Sequence, residues 1–359
     1  MTPDVSIIIP TYNRLWSLPK TVGSCRDTAC NVEILVVDDG SDDGTWDWLQ
    51  EQNDVRALRS GGWGKPWAVN KAFRQSNGRY VRFLDSDDWL YTAQIDHQLE
   101  QAEQEDVPLV VAGKDLYDED ENHLETQPWV HCDDFIAQQL GECDSSHYSA
   151  FLFQRDLIED IPHRTVFPGA DFASRDDRCF MLEVALKEPD YAVSEEPVLC
   201  HRHHEQGRLQ FGQGMRSLGT DLQQLRIYRN ILYHLQHTGR LTLRRRRAAA
   251  KMLWPLARRI AKKYLEEGEE LAAWIHELDP AFTPPEDGVL GCVYRHLGFR
   301  ATEYLLRLRR SLLTPFRTLP TPAPHTFEIP SPECASTRRA AKAESDTSRS
   351  SLSSTSTFQ

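Results

Sequence analysis

Apolar and polar positions change in short blocks along the first half of the chain. Val5-Ser6-Ile7-Ile8-Ile9 is a β-branched run, as expected of a strand buried on both faces, and Pro10 is read as its stop. A polar loop, Thr11-Tyr12-Asn13-Arg14, then leads into a helix over about 15–28. Further apolar runs at 33–37, 55–58, 80–84 and 109–112 read as strands. Helical patterns fall between them, after Thr45, over 68–75 and over 91–105, while Gly61-Gly62-Trp63-Gly64-Lys65-Pro66 reads as a flexible loop. This alternation predicts an α/β fold with a mostly parallel, doubly wound sheet flanked by helices.

Beyond that the pattern loosens. Residues 115–125 read as an acidic, loop-like excursion, 132–140 as a helix, 148–153 as extended, and 176–186 as a helix. The run 193–199 is extended, and its Pro197 suggests a sheet edge. From about 215 only helical patterns remain, with breaks expected at Gly239, Pro255, Gly268, Pro280 and Pro284-Pro285. After Pro315 the chain becomes rich in Pro, Ser and Thr, a composition that cannot repay the entropy of folding. Three regions follow: a catalytic-type α/β domain over 1–213, a helical C-terminal region over 214–317, and a disordered tail over 318–359. There is no internal repeat.

Composition narrows the functional classes. The chain of 359 residues is 40% hydrophobic and 26% charged, with a formal net charge of -13, which argues against a nucleic-acid partner. The stretch 244–263 is different: Lys and Arg stand there without any Asp or Glu, beside Met252, Leu253, Trp254, Leu256 and Ile260. It reads first as a solvated helical face against the catalytic domain, and second as a peripheral contact with anionic membrane. The eight cysteines form no Cys-x-x-Cys pair, so reduced thiols in a cytoplasmic protein are expected. No signal core and no spanning run stand out, so any membrane contact would be peripheral, on the inner face.

Two acidic clusters directly follow strands, Asp38-Asp39 and Asp85-Ser86-Asp87-Asp88. In a doubly wound sheet, strand carboxyl ends share one crevice, so clusters far apart in sequence can converge on one ligand. Asp85 to Asp88 on its own is a solvated turn, a set of helix caps, or a site for a divalent cation held by oxygens. Asp176-Asp177, ahead of an apolar helix, fits simple capping equally well. His201-Arg202-His203-His204 offers at most a single metal or phosphate contact, since residues so close cannot all point one way.

Taken together, Val5 to Arg14, Val36 to Thr45 and Phe83 to Asp88 resemble the opening motifs of family-2 glycosyltransferases in order and spacing. The resemblance covers about 4–210 and is strongest in the first ninety residues. It implies the GT-A fold and a nucleotide-diphosphate sugar donor, UDP-linked by preference, with Mn²⁺ or Mg²⁺ as the divalent metal. Carried onto matching positions, Pro10, Thr11 and Tyr12 wrap the nucleoside and Asp39 accepts from the base. Asp87 and Asp88 hold ribose and metal, with Asp85 in support. Arg202 and His204 lie near the diphosphate, His204 as a further metal contact, and Arg208 is a less certain member. Asp177 is the implied catalytic base, acting on a hydroxyl of a saccharide or glycolipid acceptor with inversion. Where the family has Glu-Asp this chain has Asp176-Asp177, so Asp176 and Asp171 stand as alternatives. The loop 61–66 also departs from the family pattern. The pathway class implied is cell-surface polysaccharide or lipopolysaccharide synthesis.

Two other readings are open. A nucleotide-sugar-binding protein of the same fold would lack turnover. A Mg²⁺-dependent phospho-acceptor domain would need an acidic pair after the first strand, where Pro10-Thr11-Tyr12 stands instead.

Overall fold

The computed structural model describes residues 2–164, 175–204 and 215–313. The predicted boundaries at 213 and 318, the tail, Asp171 and Arg208 lie outside the described residues.

The first half alternates as its apolar blocks require: β1 (Val5–Thr11), α1 (Leu18–Gly23), β2 (Val32–Asp38), α2 (Thr45–Gln50), β3 (Val55–Arg59), α3 (Lys65–Gln75) and β4 (Tyr80–Phe83). Strands β3, β2, β1 and β4 are neighbours in that order, all parallel, and the β1 interior is fully buried. Pro10 does not stop β1, which runs on to Thr11 with Pro10 opposite Val37. Leu84 N–H donates to Ile8 O and Asp39 N–H to Thr11 O, so alternate residues face opposite neighbours. Pro10 therefore faces β4, whose last pairing is Ile8 with Phe83, and its missing N–H interrupts no ladder. The helix read over 15–28 is only α1, with turns on either side. Lys65 opens α3 rather than lying in a loop.

The rest of the sheet is mixed. β5 (Trp89–Leu90), α4 (Thr92–Glu105), β6 (Leu109–Tyr117) and β7 (His123–Gln127) come next, then α5 (Phe135–Leu140), β8 (Leu152–Gln154), α6 (Arg155–Ile158), α7 (Asp176–Ala185) and β9 (Tyr191–Arg202). β8 inserts antiparallel between β4 and β6, and β9 joins β6 to β5. The acidic excursion at 115–125 is the tip of a β6–β7 hairpin, closed where Asp118 Oδ1 accepts from Asn122 N–H at 2.8 Å. β9 has β5 as a second neighbour only at Leu199 and Cys200, so at Pro197 it lies on the sheet edge, as the proline suggests. Its register against β6 jumps from Ser194 to Leu199, and Pro197 sits in that unpaired stretch, where no donor is needed.

Helices α8 (Met215–His237), α9 (Leu243–Ala261), α10 (Leu265–Leu278) and α11 (Gly288–Leu313) form the C-terminal region. α9 packs on α5 and α8, α10 on α9, and α11 on α10. The expected breaks at Gly239, Pro280 and Pro284-Pro285 fall between helices, but α9 runs through Pro255 and α10 through Gly268. Buried Leu253, Trp254, Leu256 and Ala257 pin α9 on both sides of the proline, offsetting its lost hydrogen bond. A Cβ on Gly268 would come within 2.5 Å of the Ala261 methyl, so the glycine permits the close α9–α10 approach. Gly141, at φ +109°, ends α5 and lies directly against Met252 of α9.

The packing also settles which way α9 faces. Of the apolar residues that suggested a lipid contact, Leu253, Trp254, Leu256 and Ile260 are buried in the protein and Met252 is half-buried at the cavity. Arg244 pairs with Glu142 at 2.8 Å, Arg245 with Asp134 and Glu188 at 2.8 Å, Arg258 with Glu286 at 2.6 Å, and Arg259 with Asp221 at 2.8 Å. The stretch 244–263 is thus an interface between the C-terminal helices and the α/β domain, with its Trp and Leu withheld from any membrane.

Candidate active site

Parallel β1, β2 and β4 end on the same side of the sheet, so the segments after them meet there. Asp38, fully buried, is structural: its Oδ1 accepts from Ser41 N–H at 3.0 Å and its Oδ2 is 3.4 Å from Arg59. Asp39 holds the glycine-rich loop. It accepts from the Ser60 hydroxyl, from Trp63 N–H at 3.0 Å and from Gly64 N–H at 2.7 Å. A carboxylate has about four acceptor positions, so one is left for a further N–H donor. Pro10 and Thr11 are buried in β1, whereas Tyr12 is 56% exposed at its mouth.

The pairing of β5 with the end of β9 brings 85–88 beside 201–204. Asp88, 1% exposed, accepts from Arg202 N–H at 2.9 Å and lies 3.0 Å from His201 Nδ1. Asp87 lies 2.9 Å from His204 Nε2 and 3.6 Å from Arg14. Asp85 pairs with Lys65 at 2.7 Å. From below, Ser17 and Thr21 hydroxyls donate to the Ser86 and Asp88 carbonyls at 2.7 and 2.6 Å. Asp85, Asp87 and Asp88 each turn an oxygen to within 4.8 Å of the others. Such a set of hard oxygen ligands fits Mg²⁺ or Mn²⁺. His204 stands behind Asp87 as its hydrogen-bond partner, and Asp85 belongs to the oxygen set itself.

The three carboxylates differ electrostatically. Burial pushes Asp85 up to about 6, with Lys65 opposing and Asp87 and Asp88 adding to the rise. Burial works the same way on Asp87, but His204 and Arg14 outweigh it and hold Asp87 well below the usual range. Lys65 stays an ammonium despite its own burial, because Asp85 faces it. Arg202 turns toward Glu121 at 2.6 Å, with Trp16 and Trp89 rings 5.3 and 5.0 Å from its guanidinium.

A cavity of about 650 Å³ lies alongside, lined by Ser145, His147, Tyr148, Arg175, Asp177 and Met181, and roofed by α8 and α9 through Asp221, Gln224, Met252 and Arg259. The two carboxylates at the start of α7 separate here. Asp176 is 4% exposed and points inward, 3.4 Å from His163 Nδ1. Asp177 lines the cavity, one oxygen accepting from Arg178 N–H at 2.8 Å. His147 and Lys65 join this cavity to the acidic cluster. The His147 ring is 3.9 Å from Asp85 and 5.2 Å from the His201 ring, and burial among His201, Lys114 and Lys65 keeps it neutral. Lys65 Nζ lies 5.3 Å from the Tyr148 ring.

Residues 6–161 match the model of glycosyl transferase family 2. The chain carries a family-2 glycosyltransferase domain. Among similar curated proteins is the UDP-Glc:alpha-D-GlcNAc-diphosphoundecaprenol beta-1,3-glucosyltransferase WfaP of Escherichia coli, 39% identical over 107 residues, covering 29% of this chain and 43% of that protein. Another is the glycosyltransferase GlyG of Streptococcus pneumoniae, 28% identical over 147 residues, covering 39% of this chain and 48% of that one. The chain thus spans less than half of either relative. Among solved structures, S. aureus TarS 1-349 in complex with UDP superposes with a TM-score of 0.52 at 15% identity, covering 85% of this chain and 91% of that one. This likeness confirms the GT-A fold.

Within the family-2 domain, sequence reading missed Lys65, Arg14, His147 and Glu121 as site residues. A lone lysine in a Gly-rich loop was the one signal for Lys65. His147 carried none, since only the fold brings 147 beside 85 and 201.

Proposed function

We propose that the protein is an inverting, metal-dependent glycosyltransferase, moving a sugar from a UDP-linked donor to a hydroxyl of a saccharide or glycolipid acceptor. The carrying observation is the continuity of the Asp85–Asp87–Asp88 cluster with the cavity lined by Asp177, through Lys65 and His147. In this reading Asp39 accepts from the base, Tyr12 covers the nucleoside, Asp88 holds the metal, and Asp87 shares the metal and the ribose. A divalent metal held by these carboxylates would neutralise negative charge on the donor diphosphate. Asp177 accepts the acceptor hydroxyl proton as that oxygen attacks the anomeric carbon, and a single displacement inverts configuration. Asp176, buried against His163, is the weaker candidate for the base. The similarity to WfaP, whose name gives a UDP-glucose donor and a lipid-diphosphate-linked acceptor, supports a role in cell-surface polysaccharide assembly.

A panel of nucleotide sugars, each with Mn²⁺, with Mg²⁺ and with chelator, tests this by thermal shift and donor hydrolysis. Stabilisation by UDP-sugars and metal-dependent release of UDP are expected. Binding without hydrolysis or transfer would instead favour a binding protein of the same fold, and metal-independent turnover would remove the metal from the scheme.

A further inference from the structure

Helix α11 turns at Gly298, where φ is 76° and ψ 177°. Its second stretch, 299–313, leans on the protein through Phe299, Thr302, Glu303 and Leu306. At ~100° per residue, Ala301, Tyr304, Leu305, Leu308 and Leu312 fall within one arc of the opposite side. These are open to solvent: Tyr304 is 53%, Leu305 48%, Leu308 44% and Leu312 82% exposed. By the same periodicity Arg300 and Arg307 border the row on one flank and Arg309 on the other. The helix holds a single acid, Glu303. It is 1% exposed and turned inward, where Arg258 and Arg310 face it at 3.2 and 3.3 Å. Arg300 also reaches Glu269 of α10.

An apolar row of this length left in water marks a contact surface. Charge identifies the occupant. A second copy docking symmetrically would set these arginines against their own counterparts. An anionic bilayer meets the arginines with phosphates and the leucines with acyl chains. No helix among the described residues is long and apolar enough to cross a membrane, so the fit is to the surface of one. We propose that α11, along 301–312, is a membrane-surface helix that lies in the headgroup layer of an anionic bilayer. Leu305, Leu308 and Leu312 dip toward the acyl boundary while Arg300 and Arg309 sit among phosphates. The inference is independent of the reaction proposed above.

The test is co-sedimentation of the full chain with phosphatidylglycerol–phosphatidylcholine vesicles and with phosphatidylcholine alone. Binding to the anionic vesicles at low salt is expected, falling as salt rises, with several-fold less on the zwitterionic ones. Leu305→Glu with Leu308→Glu should lower binding by roughly tenfold or more. Arg300→Gln and Arg309→Gln should each cost about fivefold. Unchanged unfolding midpoints would show that all variants remain folded. Wild-type protein left in the supernatant at low salt would overturn the proposal, as would leucine variants that bind equally well. So would a dimer in sedimentation velocity that the leucine variants dissolve without any vesicle binding.

Discussion

The proposed donor end and the proposed acceptor cavity adjoin, but they are built in opposite ways. The carboxylates of the donor end, Asp39 and Asp85 to Asp88, lie just past strand termini, and parallel pairing of β1, β2 and β4 brings those turns together. The acceptor cavity draws on α7, the segment around 145–148 and two helices from the C-terminal region. One end is therefore assembled by a sheet whose register is strongly specified. The other depends on how α8 and α9 dock, and so can vary in shape while the donor chemistry stays fixed. If this contrast is right, changes at the two ends should separate turnover from donor binding.

The largest effect is expected at Asp177. Asp177→Asn keeps the shape of the cavity wall but removes the proton acceptor, so transfer should fall roughly 10²–10⁴-fold. UDP affinity should stay near wild type, measured by calorimetry on the same preparation. Near-normal turnover would move the base away from Asp177 and break the assignment of this cavity to the acceptor.

Next comes the metal cluster. Asp88→Ala should lower Mn²⁺-stimulated UDP affinity on the order of 10- to 100-fold, by the scale of losses around metal ligands. It should leave UDP binding in chelator nearly unchanged. Equal loss with and without metal would mean that Asp88 acts by holding Arg202 and His201 in place rather than as a ligand.

A smaller effect belongs to Asp39. Asp39→Asn turns one of its two oxygens into an NH₂ donor, set against either Trp63 N–H, which pairs with Oδ1, or Gly64 N–H, which pairs with Oδ2. One loop donor then goes unsatisfied and the position left for the base is lost. UDP affinity should drop roughly tenfold, since the base N–H loses its acceptor in the complex and an unsatisfied donor there costs about 1–3 kcal/mol. Unchanged affinity would show that the carboxylate serves only the 60–64 loop.

The same contrast explains what could be read in advance. The donor end was legible because its residues are local: Asp39 and Asp85 to Asp88 each follow an apolar run that announces its strand. The acidic pair ahead of an apolar helix was legible as a motif, but not that Asp177 lines the cavity while Asp176 is buried against His163. His147 and Lys65 were not legible as links, since each meets Asp85 only through the folded sheet. Nor did the pattern of 244–263 show its orientation. An amphipathic basic helix presents the same periodicity whether its apolar side meets lipid or a neighbouring helix, and the burial of Leu253, Trp254, Leu256 and Ile260 decides between them.

The docking of α9 raises the question of what holds the cavity roof. Arg245 is half-enclosed between Asp134 and Glu188, and Asp134 also caps α5 by accepting from Ala137 N–H at 2.9 Å. Leu253, Trp254 and Leu256 of the same helix are almost wholly buried. Burial of such side chains contributes about 1.5–3 kcal/mol each, whereas ion pairs near the surface contribute about 1 kcal/mol or less. Arg245→Gln should therefore lower unfolding free energy by about 1 kcal/mol or less in a urea titration, with acceptor KM and donor affinity both unchanged. A loss several times larger, together with a raised acceptor KM, would mean that charge rather than packing sets the position of α9, and that the acceptor end is held as specifically as the donor end.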